Sequence, residues 1–153
     1  MANGSGTNQK AKASYSPGEY CFTMDSSSAS THVLDMNDSG KTYFLESTVA
    51  RTITLPAVKA GCNFKFIATD TTADSSIATS EGTALLKGGA ECGDAYLTLA
   101  GTTIIVEAAG SVGDHLDFIC DGTYWYVSGH GAHDASFSVS YTERLKLMVN
   151  IVM

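Results

Sequence analysis

Proline is nearly missing from this chain of 153 residues, which contains only two. Charged side chains are also scarce, at 16%, against roughly a quarter in an ordinary soluble domain. No apolar run approaches the ~20 residues a helix needs to cross a bilayer. The opening stretch, residues 1 to 18, carries no apolar segment of the kind that marks a secretory signal. The four cysteines, Cys21, Cys62, Cys92 and Cys120, form no C-x-x-C pair, so neither a zinc knuckle nor a thioredoxin-like motif has support. G-x-S-x-G and G-x-x-x-x-G-K-[ST] are both absent, which removes the linear signatures of a nucleophile elbow and a phosphate loop. Positive charge is outweighed as well: nine Lys and Arg face sixteen Asp and Glu, for a net charge of −7. A chain of that sign lacks the counterion release that drives nucleic-acid binding, so no nucleic acid and no anionic membrane is expected as a partner. Docking onto a basic surface is compatible with it.

The cysteines are read as free, mostly buried thiols rather than disulfides, with Cys62 and Cys120 acting as small apolar residues in or beside strands. The sequons at Asn3 and Asn37 are read as chance matches.

What is present is a period of two. Apolar residues make up 44% of the chain, and no stretch repeats them at the 3.6-residue spacing of a helix. Between Gly113 and Gly131, Leu116, Phe118 and Cys120 alternate with His115, Asp117 and Ile119. Asp121-Gly122 follows, a dipeptide that suits a two-residue type I′ turn. The return strand, Thr123 to Ser128, holds the only Trp and is rich in residues that fit a pleated surface.

Other strands are expected at Tyr20 to Met24, His32 to Met36, Lys41 to Glu46, Arg51 to Leu55 and Asn63 to Ala68. The pair around Asn37-Asp38-Ser39-Gly40 reads as a hairpin. Ser76 to Thr79 and Thr83 to Lys87 read as short strands, with Gly88-Gly89 as a break. Ala95 to Leu99 and Thr102 to Glu107 read as a pair across Ala100-Gly101. Near the end, Phe137, Val139 and Tyr141, then Leu145, Leu147, Val149 and Ile151, alternate on either side of a turn at Thr142-Glu143.

Short strands with a turn every eight to twelve residues predict an all-β fold, an antiparallel β-sandwich or jelly-roll-like barrel. Residues 1–18 are expected to be a flexible or extended arm, and 19–153 a single β-domain. No fixed repeat is present, which argues against a solenoid or propeller.

Three constellations deserve a chemical reading. His130, His133 and Asp134, with His115 and Cys120 nearby, contain metal-ligand residue types, but no structural-zinc spacing is complete and polar loop residues explain them better. Asp114, Asp117 and Asp121 contain the carboxylates a glycosidase needs, yet Asp121 serves the turn. Tyr124, Trp125 and Tyr126 offer a stacking platform. On a strand Trp125 faces opposite to its neighbours, so one side is core and the other meets solvent or a partner. No catalytic, cofactor or metal residue is assigned, and an enzyme is not expected.

Two segments carry a resemblance. One is Leu55-Pro56-Ala57 followed by Ala60-Gly61 and Phe64-x-Phe66. The other is Gly113-Asp114, an apolar strand, then Asp121-Gly122-Thr123-x-Trp125-x-Val127-x-Gly129. Together, over roughly residues 50 to 131, the chain resembles small β-rich structural proteins of tailed bacteriophages and aquatic viruses, found as head-decoration, head-fibre and tail-fibre modules. The resemblance implies a capsid decoration or cement protein on the virion surface, often trimeric, bound to the major capsid protein and without catalytic residues. The alternative it leaves is a receptor- or glycan-binding module of a head fibre or tail fibre. The four cysteines and the His130/His133 loop lie outside the pattern.

Overall fold

A computed structural model describes residues 21–24, 30–83 and 85–141. The expected arm, the turn at Thr142-Glu143 and the strand beyond it lie outside these residues. The described chain forms twelve strands: β1 Cys21–Met24, β2 Thr31–Val33, β3 Thr42–Glu46, β4 Arg51–Leu55, β5 Asn63–Asp70, β6 Ser75–Thr79, β7 Leu86–Cys92, β8 Ala95–Thr98, β9 Thr103–Val106, β10 His115–Cys120, β11 Trp125–Gly131 and β12 Phe137–Ser140. They build a seven-stranded sheet in the order β1-β3-β5-β10-β11-β7-β8 and a five-stranded sheet in the order β12-β9-β6-β4-β2. The all-β sandwich expected from the period of two is the observed architecture.

The topology differs from the run of hairpins the sequence suggested. From β1 to β6 each strand lies in the sheet opposite its predecessor. Neighbours in a sheet are then separated by an excursion through the other layer, and they run the same way. Thus β1 pairs with β3, β3 with β5, β2 with β4 and β4 with β6, all in parallel. Parallel pairs need such crossovers, because a tight turn can join only antiparallel neighbours.

Three expectations fall to this winding. The proposed hairpin around Asn37 is a crossover: β2 belongs to the five-stranded sheet and β3 to the seven-stranded one. Between them Met36–Asp38 forms a 3-10 turn, with a capping box in which Asp35 and Asp38 each accept the other's backbone N–H. The proposed pair across Ala100-Gly101 is likewise split, with β8 on β7 and β9 between β6 and β12. Gly88-Gly89, expected to be a break, lies inside β7. The hairpin there is β7–β8, closed by Gly93-Asp94.

Even-numbered residues of β5 and β10 face inward, so Phe64 stands opposite Phe118 and Phe66 opposite Leu116. An aromatic chain crosses the inner face of the larger sheet. Tyr43 stacks on Phe66 at 5.5 Å, Phe66 meets Phe118 edge-on at 5.5 Å, and Phe64 lies 5.8 Å from Trp125. The smaller sheet supplies Ile53, Leu55, Ile77, Ile104 and Phe137, and all belong to one buried cluster. Trp125 is completely buried, and its indole N–H has no hydrogen-bond partner among the described residues. An unsatisfied donor of this kind costs about 1–3 kcal/mol, which the burial of so large a ring offsets.

Candidate interaction face on the seven-stranded sheet

The outer face of the larger sheet is where the exposed sequence features converge, because every second residue of β10 and β11 must point away from the core. Strands β10 and β11 are antiparallel, with Ile119 opposite Tyr126, Asp117 opposite Ser128 and His115 opposite His130. They occupy the middle of the sheet, with the Asp117–Ser128 rung midway along them and Ile119 and Tyr126 one rung from their hairpin loop.

Ile119 is 57% exposed and Tyr126 43%, an apolar pair side by side. Asn63 on β5 lies across from Ile119, and Lys87 on β7 across from Tyr126. Lys87 turns its ammonium over the Tyr124 ring, 3.3 Å from the centroid, a cation–π contact worth about 0.5–1 kcal/mol at an exposed site. The next row carries an ion pair between Lys65 and Asp117, at 3.3 Å, with both side chains well exposed. Such a pair contributes about 0–1 kcal/mol in water. A shallow depression beside it is lined by Lys41, Thr42, Asn63, Lys65, Asp117, Ile119 and Ser128. At the far edge Tyr96 is 68% exposed, and its ring lies across Gly89, where a Cβ would come 2.3 Å from the hydroxyl oxygen.

The aromatic triplet divides as its alternation requires: Trp125 is in the core, Tyr126 faces out and Tyr124 sits half-buried beneath Lys87. The turn before it is not the expected two-residue type I′. Strand pairing resumes with Cys120 opposite Trp125, which leaves Asp121 to Tyr124 as a four-residue loop. No residue other than glycine has positive φ among those described, so Asp121 does not adopt the type I′ conformation. Its carboxylate instead accepts the N–H groups of Thr123 at 2.7 Å and Tyr124 at 2.8 Å. The N–H groups of Tyr124 and Thr123 hold its carboxyl below the usual carboxylate range.

The three aspartates proposed as a cluster point to three places. Asp121 caps its turn, and Asp117 pairs with Lys65 on the outer face. Asp114 is buried and accepts the N–H groups of Ser111 and Ala132, each at 2.8 Å, tying the loop before β10 to the end of β11. The carboxylate pair of a glycosidase is therefore not assembled from them.

The histidines divide too. His115 and His130 approach each other, with ring centroids 6.3 Å apart. His133 and Asp134 lie in the turn after β11, where the His133 N–H donates to the Ser136 hydroxyl at 3.0 Å. Cys120 faces the core. Among the described residues no group of three or more His, Cys, Asp or Glu side chains is arranged to hold a metal ion. What the face offers is contact chemistry: an apolar pair, a ring under a cation and one exposed ion pair.

Sequence reasoning missed the juxtaposition of Cys62 with Cys120. Both were placed correctly as buried thiols, but the register that sets them against each other depends on Gly61. That residue makes a bulge whose position is visible only once the two strands are paired. No family model, curated protein or solved structure matches this chain.

Proposed function

We propose that this chain is a structural protein of a virus particle, a decoration or cement protein that binds the outside of the capsid through the outer face of its seven-stranded sheet. The observation that carries the reading is the exposed Ile119–Tyr126 pair on the two middle strands of that face, near their hairpin end. Apolar and aromatic residues ringed by polar ones mark contact surfaces, and aromatics concentrate at the centres of such interfaces. The residue pattern over roughly 50 to 131 supports the virion assignment. The net charge of −7 suits a basic partner surface such as a major capsid protein can present.

In this reading the protein assembles as a homotrimer, and residues 1 to 18 reach over the shell. An interface of standard size buries about 1,600 Å² in total, which a sandwich of this size can supply. The test is co-sedimentation of the full chain with capsids stripped of their decoration. Binding should be saturable, and Tyr126→Asp should weaken it at least tenfold while the far-ultraviolet spectrum stays that of the parent. Wild-type protein that stays in the supernatant while binding a glycan array would replace this reading with a fibre-tip receptor module.

A further inference from the structure

The five-residue segment from Pro56 to Ala60 ends in a feature that has no part in the outer face. Lys59 to Cys62 closes as a turn, with the Cys62 N–H donating to the Lys59 carbonyl at 3.2 Å. Gly61 takes φ 84, the value its place in a type II turn demands. The Gly61 N–H then donates to the Cys120 carbonyl at 2.8 Å, and the Cys120 N–H donates to the Cys62 carbonyl at 2.8 Å. Two residues of one strand thus oppose one of its neighbour, a G1-type β-bulge.

Its effect is to seat Cys62 directly across from Cys120, one step beyond the paired residues Asn63 and Ile119. Both side chains have the inward parity of Phe64 and Phe118, and both thiols are buried and free. Directly opposed residues of antiparallel strands have Cβ atoms about 4.5–5.5 Å apart. That separation is close to the span a disulfide bridges, and a small strand shift closes the rest. The pair is not sealed off from outside. Met36, Ser39, Lys59, Ala60 and Gly61 line a surface depression in which Cys62 forms part of the wall.

We propose that Cys62 and Cys120 are a cross-strand dithiol that closes to a disulfide when the protein meets a low-molecular-weight disulfide oxidant. Cys62, reached through the depression, attacks the oxidant as thiolate. One Cys62–oxidant sulfur–sulfur bond forms and one thiolate of the oxidant leaves. Cys120 then loses its proton and attacks the Cys62 sulfur, expelling the second thiolate. The protein loses two hydrogen atoms, and the oxidant ends as two thiols. Burial raises the Cys62 thiol above its ordinary range, and the Cys120 thiol beside it adds to the effect, against the opposing Ser39 contact. The first step is accordingly slow at neutral pH and speeds up as pH rises.

The closed bridge would pin the Lys59–Cys62 turn to the start of the Asp121–Tyr124 loop, already tied there by the Gly61 N–H to the Cys120 carbonyl. By the loop-closure account it should raise the thermal midpoint by on the order of 10 °C.

The experiment uses full-length Cys21→Ser, which lacks the exposed thiol, treated with excess oxidised glutathione. Intact mass should fall by two hydrogens, and peptide mapping should recover Cys62 joined to Cys120. Adding Cys120→Ser should leave a stable glutathione adduct on Cys62. The proposal is overturned if folded Cys21→Ser still keeps its reduced mass after prolonged treatment at mildly alkaline pH, where the slow first step is favoured. It is equally overturned if the adduct on Cys62 persists with Cys120 present, or if the bridge formed involves Cys92. The decisive readout needs no core substitution, so a misfolded variant cannot obscure it.

Discussion

At Gly61 the backbone stands at φ 84, and nothing lies within 4 Å of where a Cβ would be. Replacing it by alanine therefore introduces backbone strain without a clash, and Gly61→Ala should lower stability by about 1–2 kcal/mol in chemical denaturation. Gly88 is a harsher case. It has φ 135, and a Cβ there would sit 2.0 Å from the Val127 carbonyl oxygen on the paired strand. Gly88→Ala should cost more than about 3 kcal/mol, because the strand must move as well as strain. A third residue-scale prediction concerns acid. Asp121 is held below its ordinary range by the Tyr124 and Thr123 N–H groups, and Asp70 by the Thr72 hydroxyl and N–H. A carboxyl depressed in the folded state binds protons more weakly than in the unfolded chain. Its stabilisation is complete above the unfolded value of about 3.9 and is lost as pH falls through the folded one. The thermal midpoint should be nearly flat from neutral pH down to about 5 and fall below about 4. Asp121→Asn, which keeps an acceptor oxygen, should flatten part of that fall.

Single elements were legible where their pattern is local. The alternation in β4, β5, β10 and β12 follows from residues two apart, and each strand appears where that alternation placed it. The β10–β11 hairpin was legible for the same reason, although its loop is longer than expected: Asp121 satisfies two N–H groups with its side chain and so needs no positive φ of its own. The partners of β2, β3, β8 and β9 were not legible. For β2, β3 and β9 the partner is reached only after the chain has passed through the opposite sheet, and a crossover leaves no mark on adjacent residues; β8 instead pairs back on β7. Gly93-Asp94 is a turn dipeptide that identifies the β7–β8 hairpin, but Gly88-Gly89 nearby competed with it as a break. Strand position makes a further prediction. In amide hydrogen exchange β10, paired on both sides to β5 and β11, should be the slowest element. The edge strands β1 and β8 should exchange fastest, at free energies well below global unfolding.

For the whole molecule, one buried cluster joins both sheets, so truncating a side chain that links them should be felt throughout. Phe118→Ala, at a fully buried ring in contact with Phe66, should cost about 3–5 kcal/mol in a cooperative transition. Ile119→Asp, one residue along but facing out, should stay within about 0.5 kcal/mol of the parent. The candidate interaction face was half visible in the sequence. That one of Trp125 and its tyrosine neighbours faces outward follows from alternation. That Tyr126 stands beside Ile119, with Lys87 over Tyr124, follows from pairing across three strands. The three aspartates are separated for the complementary reason: Asp117 is on the outer face of β10, Asp114 is buried before it and Asp121 caps the loop after it. Because the functional account places this outer face against a capsid, the most direct measurement is a cryo-electron microscopy map of purified virus particles that carry the chain. The account predicts density for the sandwich outside the shell, with the face bearing Ile119 and Tyr126 turned toward the capsid protein. Particles purified to homogeneity that lack the chain, or a map in which that face points to solvent and another surface makes the contact, would contradict it.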